Sequence, residues 1–261
     1  MVKSSTGGEF QFALSVFRKG LEGGGCLVCH ALAEAEERSL HSFLYEGMTT
    51  APALVRFLGG GGFCARHFRS VTRLGVNRWS VGCVELAILC RHILPRATRE
   101  AAEVRARRRR IRILGARRSG KSPAGLFPGK ECIFCLEGRE REDRFVCLLE
   151  LVFDQEDFQR AVSSAGVCLP HGAMALASWK STPRAERLWE ILRARSDHLA
   201  GEISSFLEKY DDRHRKESFG AEGDVVERAV EFLSGAERGR LRRAPSRQTG
   251  SAYGGTVARK P

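Results

Sequence analysis

Apolar positions in this chain recur at three-, four- and seven-residue steps and almost nowhere alternate, so helix is predicted throughout and strand hardly at all. Near the start, Phe10, Leu14, Phe17 and Leu21 fall on one stripe, which predicts a docked amphipathic helix. A run rich in Ala, Leu and Glu follows Cys29 to about Tyr45, and a similar run follows Cys135 to Phe153. Short helices are expected before and after Cys64 and again around Cys168. Thr182-Pro183 opens a long helix, with proline at its first position and Leu188, Leu192, Leu199, Ile203, Phe206 and Tyr210 at helical steps. The matching helix of the first half begins near Ser80, with Pro95 as a kink or break. A last helix, Asp224 to Leu233, is closed by Gly235. The expected class is all-α: two pseudo-repeated helical modules, each followed by a long helix.

The repeat is carried by cysteine and histidine. Cys26-Leu27-Val28-Cys29 is followed, 35 residues on, by Cys64-Ala65-Arg66-His67. Cys132-Ile133-Phe134-Cys135 is followed, 33 residues on, by Cys168-Leu169-Pro170-His171. Two thiolates three residues apart grip one ion from a tight knuckle, and a Cys and a His three apart on a first helical turn complete a tetrahedron. The reading is two structural zinc sites of Cys₃His type, one per half: Cys26, Cys29, Cys64 and His67, then Cys132, Cys135, Cys168 and His171. An iron–sulfur cluster is the alternative, since the same donors can hold one. The alignment extends beyond the ligands: Glu36, Glu37 and Arg38 fall on Glu142, Asp143 and Arg144 at an offset of 106. Leu54, Arg56 and Leu58 fall on Phe158, Arg160 and Val162 at an offset of 104. Cys83, Cys90 and Cys147 have no partners at ligand spacing and are expected to be buried apolar thiols.

Other motifs weigh less. Cys26 to His30 spells the haem c attachment pattern, but the second copy has Leu136 where His30 stands. Residues 115–122 match the phosphate-loop pattern without the strand before or the helix after that phosphate binding requires. His41, His92, His198 and His214 have no ligand partners at useful spacing. No paired-carboxylate, Ser/His/Asp or Cys/His nucleophile arrangement points to catalysis.

Charge refines the picture. The formal net charge of +12 resides in two segments, Arg105 to Lys121 and Ala236 to Pro261, and the rest of the chain is slightly acidic. The expected organisation is a first module over 1–104, a basic Gly/Pro-rich linker over 105–130, a second module over 131–235, and a disordered basic tail over 236–261. Nucleic acid, if contacted, would meet the linker and tail; a protein partner is the other expectation. No stretch reads as a membrane span or an export signal, so reduced thiols in a cytoplasm are expected. Oligomeric state is left open.

With these residues in place, the chain resembles a family of uncharacterised prokaryotic proteins defined as a domain of unknown function. The resemblance is carried by the Cys-x-x-Cys pairs and by Gly62-Phe63-Cys64-Ala65-Arg66-His67. It continues in the charged segment Lys209-Tyr210-Asp211-Asp212-Arg213 and in the finish Glu222, Arg228-Ala229 and Gly235, covering about residues 20 to 235. The second motif departs from Gly-Phe-Cys, reading Val167-Cys168. The resemblance implies the architecture and no known activity. The function expected is a zinc-binding, non-enzymatic interaction or scaffold protein; the alternative is an iron–sulfur or thiol redox protein.

Overall fold

In a computed structural model of the chain, the described residues are 5–23, 25–47, 50–59, 62–75, 81–113, 131–164, 166–209, 218 and 220–236. They form ten α-helices and, among the described residues, no strand. Helix α1 (Ser5–Gly23) carries the opening stripe: Ala13 and Phe17 are fully buried, and Phe10, Leu14 and Leu21 pack against the same core. There follow α2 (Leu27–Tyr45), α3 (Ala51–Gly59), α4 (Ala65–Gly75) and α5 (Val81–Ile113). The second half gives α6 (Ile133–Val152), α7 (Glu156–Ser164), α8 (Leu169–Ser178) and α9 (Thr182–Glu208). A 3₁₀ turn (Ala221–Asp224) then leads into α10 (Val225–Ser234). Four helices thus follow each knuckle in the same order.

Helices α2 and α6 organise the molecule. They run antiparallel, since Phe43 near the end of α2 meets Phe134 at the start of α6 with ring centroids 5.5 Å apart. Each threads two hydrophobic cores. The larger core gathers the first half of α2, the second half of α6, and parts of α1, α7, α8, α9 and α10. The smaller gathers the second half of α2, α3, α4, α5 and the first residues of α6. Its centre is aromatic: Phe63 is fully buried and its ring lies 4.7 Å from Phe57 and 5.2 Å from Phe134, centroid to centroid. Phe63 is the aromatic of Gly-Phe-Cys, so packing fixes the residue just before Cys64.

Pro95 lies inside α5 and does not end it, and α5 continues to Ile113, so the first nine residues of the expected linker are helical. Residues 114–130 and the tail from 237, with the phosphate-loop pattern, lie outside the described residues. So do His214 and Tyr210 to Arg213.

The thiols outside the two motifs correct the sequence reading. Cys90 is half-buried and Cys147 is exposed, because the apolar run around Cys147 turns one face of α6 to solvent; the side chain of Cys83 is not described. His198 faces Glu202 at 3.4 Å and His41 stacks on Tyr45. No described helix is long and apolar enough to cross a membrane.

Helix α10 is pinned by charge. Arg228 on α10 makes a bidentate pair with Glu202 on α9, at 2.7 and 3.0 Å, and also reaches Asp224 at 2.7 Å. Lys209 closes α9 onto Glu222 at 2.5 Å. The hydrogen bond from Lys209 holds the Glu222 carboxyl down at about 2. Lys209, Glu222 and Arg228 belong to the resemblance motif, and the Arg228–Glu202 pair seats α10 on α9.

Candidate metal centres

Each knuckle sits at a helix start. Cys26 and Cys132 are the N-cap residues of α2 and α6, in extended conformation, and Cys29 and Cys135 follow one turn inside. Cys168 likewise caps α8, whose first turn holds Pro170 and His171.

The structure brings all eight expected residues together, four and four, but exchanges the pairs. One group is Cys26, Cys29, Cys168 and His171; the other is Cys64, His67, Cys132 and Cys135. Each knuckle therefore joins the Cys-x-x-His of the other half, and the expected closure within each half is corrected. The reason is length. Helix α2 carries the chain about 28 Å away from its knuckle, while α3 brings it back only about 13 Å. Cys64 therefore emerges near the far end of α2, where the antiparallel α6 presents Cys132 and Cys135. The same arithmetic delivers Cys168 to the knuckle of α2. A backbone bond seals that crossing, Leu27 N–H donating to the Gly166 carbonyl at 2.8 Å.

Within each group the four ligand atoms lie within 4.8 Å of one another. In the first group, His171 Nδ1 is 3.4, 3.4 and 3.1 Å from the Sγ atoms of Cys26, Cys29 and Cys168, and Cys29 and Cys168 are 3.9 Å apart. In the second, His67 Nδ1 is 3.2, 3.3 and 3.5 Å from Cys64, Cys132 and Cys135, and Cys64 and Cys135 are 3.6 Å apart. A tetrahedral ion with zinc-like bond lengths requires S···S edges of about 3.8 Å and N···S edges of about 3.6 Å. The donors fit; these two buried groups can each hold a metal ion.

A carboxylate backs each ring. His171 Nε2 lies 2.9 Å from Glu142, and His67 Nε2 lies 3.3 Å from Glu36. At His171 this contact places the proton on Nε2 and turns the Nδ1 lone pair to the thiols. Glu36 is shared with Arg66, 3.2 Å from it and with Nη2 2.9 Å from Nε2, so this pairing is the looser of the two. The carboxylates cross as well: α2 supplies a knuckle to one group and Glu36 to the other, and α6 does the reverse with Glu142. Sequence alignment placed Glu36 opposite Glu142 without assigning either a role; the signal was a glutamate ten residues beyond the first cysteine in both halves.

Charge within the groups is divided. Burial opposes ionisation of Cys26 most strongly, yet hydrogen bonds from Cys168, Cys29 and His171 bring its thiol well below the usual value. Cys29 is pushed up by its hydrogen bonds to Cys168 and Cys26 and by burial. Burial also opposes ionisation of Cys132, but His67 draws it to about 7; burial and the charge of Cys132 push Cys135 up to about 12. Both histidines rise against the effect of burial, His67 to about 9 through Cys132 and Glu36, and His171 to about 10 through Cys168 and Cys26.

The groups differ in cover. All four residues of the first are buried, while Cys135 in the second is half-buried. The turn after α10 closes the first: Gly235 has φ +78°, and a Cβ there would stand 3.2 Å from Cys29 Sγ and 3.4 Å from Cys168 Sγ.

Fold and sites together define an all-α protein with two exchanged Cys₃His centres. The chain belongs to a family of unknown function, DUF6062, whose model matches residues 16–240. No curated protein and no solved structure matches it.

Proposed function

We propose that each group holds one structural zinc ion and that the protein is a non-enzymatic interaction or scaffold module built from a duplicated unit. The observation that carries this is the donor geometry. Three thiols and one Nδ1 stand at single-ion tetrahedral edges, with Nε2 turned to a carboxylate. Four protein ligands leave no open position for water, which favours a structural ion over zinc hydrolysis. The alternative, an iron–sulfur cluster, would insert sulfides and further irons between the ligands and hold them wider apart than these groups stand. Clustered thiols of this kind persist in a reducing compartment, which supports a cytoplasmic setting.

Elemental analysis of freshly purified protein, read beside its visible spectrum, tests the reading. Two zinc ions per chain and no colour are expected; iron with visible bands would overturn it. The basic segments at 105–121 and 236–261 support nucleic acid as a second class of partner. That reading predicts binding that weakens steeply across a salt series and disappears when 236–261 is deleted and the linker arginines are neutralised.

A further inference from the structure

We propose that the groove between α2, α3 and the start of α6 is a docking site for an amphipathic helix of a partner protein, with an aromatic side chain of that helix set over Arg38. The proposal deepens the interaction role above and rests on it.

In the other half the corresponding groove is filled. There α1 lies against α2, α6 and α7. Phe17 inserts edge-on between Phe145 and Phe158, centroids 6.4 and 6.1 Å away. The Arg144 guanidinium covers the Phe12 ring at 5.1 Å. Gly20 lets α1 approach α2 so closely that a Cβ there would stand 3.1 Å from Leu27.

Under the alignment, the walls of that groove map onto α2, α3 and the start of α6. There an open groove of about 770 Å³ is lined by Arg38, Ser42, Phe43, Pro52, Ile133 and Phe134 among others. No described helix fills it. The substitutions between the two grooves explain why one is sealed and the other open. Phe145, Leu148 and Val152 correspond to Ser39, Ser42 and Glu46, and Phe158 corresponds to Leu54. The first set would expose a large apolar strip if α1 left, and so demands permanent cover. The second pairs an apolar floor with hydroxyls and charge, and is stable both wetted and covered, as a reversible helix-in-groove site must be.

Chemistry selects the occupant. The groove carries Arg38 and Arg56 against Glu46 and Glu137, with Arg56 and Glu137 paired across it at 3.2 Å. Two cations balanced by two carboxylates disfavour a nucleic-acid backbone. Arg38 stands where Arg144 stands over Phe12 and makes no ion pair among the described residues, so its guanidinium is available to an incoming ring.

The test uses the full-length, zinc-loaded protein and a displayed library of amphipathic helices with one randomised face. Selected helices should carry an aromatic on that face. Their affinity should fall about tenfold or more with Ser42→Arg, fall several-fold with Arg38→Ala, and stay unchanged with Trp189→Ala on exposed α9. Binders indifferent to Ser42→Arg would overturn the groove while leaving an interaction role standing. Binding that appears only after residues 237–261 are deleted, or after the chain is cut within 114–130, would assign the groove to this chain itself and overturn the proposal. A dimer that Ser42→Arg converts to monomer would assign it to a second copy, with the same consequence. Zinc content, measured on every variant, reports separately on the metal reading.

Discussion

His67 and His171 present Nδ1 to three thiols and Nε2 to a glutamate, so the state of each ring is set from both sides. Removing the outer carboxylate while keeping its shape should loosen the ion without unfolding the site. Glu142→Gln is expected to weaken zinc binding about 10- to 100-fold in a competitive chelator titration. Glu36→Gln should cost less, since Arg66 already shares Glu36 with the ring. Acid acts on the same atoms. In the metal-free chain His67 keeps its proton to about 9 and His171 to about 10, so zinc must displace a proton at each site below those values. Apparent affinity should therefore rise about tenfold per pH unit for each displaced proton, and should still climb past pH 10, because the Cys135 thiol is pushed up to about 12 and Cys29 is raised as well. The metal-free fold has the opposite dependence. A histidine raised above its ordinary 6.5 contributes stability fully below that value and loses it as pH climbs through 9 or 10. Gly235 makes a third case at this scale. Gly235→Ala combines a positive φ with a Cβ against two ligand sulfurs, and should weaken the Cys26/Cys29/Cys168/His171 group while sparing the other. The eight residues of the two groups were legible from spacing alone, whereas the closing role of Gly235 was not: in sequence it reads only as a helix stop.

At the scale of elements, periodicity located the helices well because most of them bury one face. The stripe Phe10, Leu14, Phe17, Leu21 became α1, and Phe17→Ala should cost about 3–5 kcal/mol, measured by denaturant unfolding, since that ring is fully buried between two others. Cys147 shows where the same reasoning failed. Its neighbours are apolar, but α6 is buried on two sides and not all round, so one apolar-looking position faces solvent. Cys147→Ser should accordingly leave stability within about 0.5 kcal/mol of the parent. Pro95 failed as a break for a related reason: in so long a helix, packing of Leu86, Leu89 and Ile93 on the preceding turns holds the axis through the missing N–H.

For the whole molecule, the ligand set was readable and its partition was not, because partition depends on how far helices travel before the chain turns back. Helix lengths contain that information once they are multiplied out: a 19-residue helix followed by a nine-residue return cannot bring Cys64 home to Cys29. Paired substitutions distinguish the two wirings. Cys26→Ser with Cys168→Ser should leave one zinc per chain, because both fall in one group, while Cys26→Ser with Cys64→Ser should leave none. Closure within each half predicts the reverse. The exchange also sets an order in time. A chain leaving the ribosome N-terminus first cannot complete the Cys64 group until Cys135 emerges, nor the Cys26 group until His171 does. The first knuckle is thus made before any metal can be enclosed and must wait as a bare dithiol while the 142 residues from Cys29 to His171 are added, so the first ligands made are the last to be sealed.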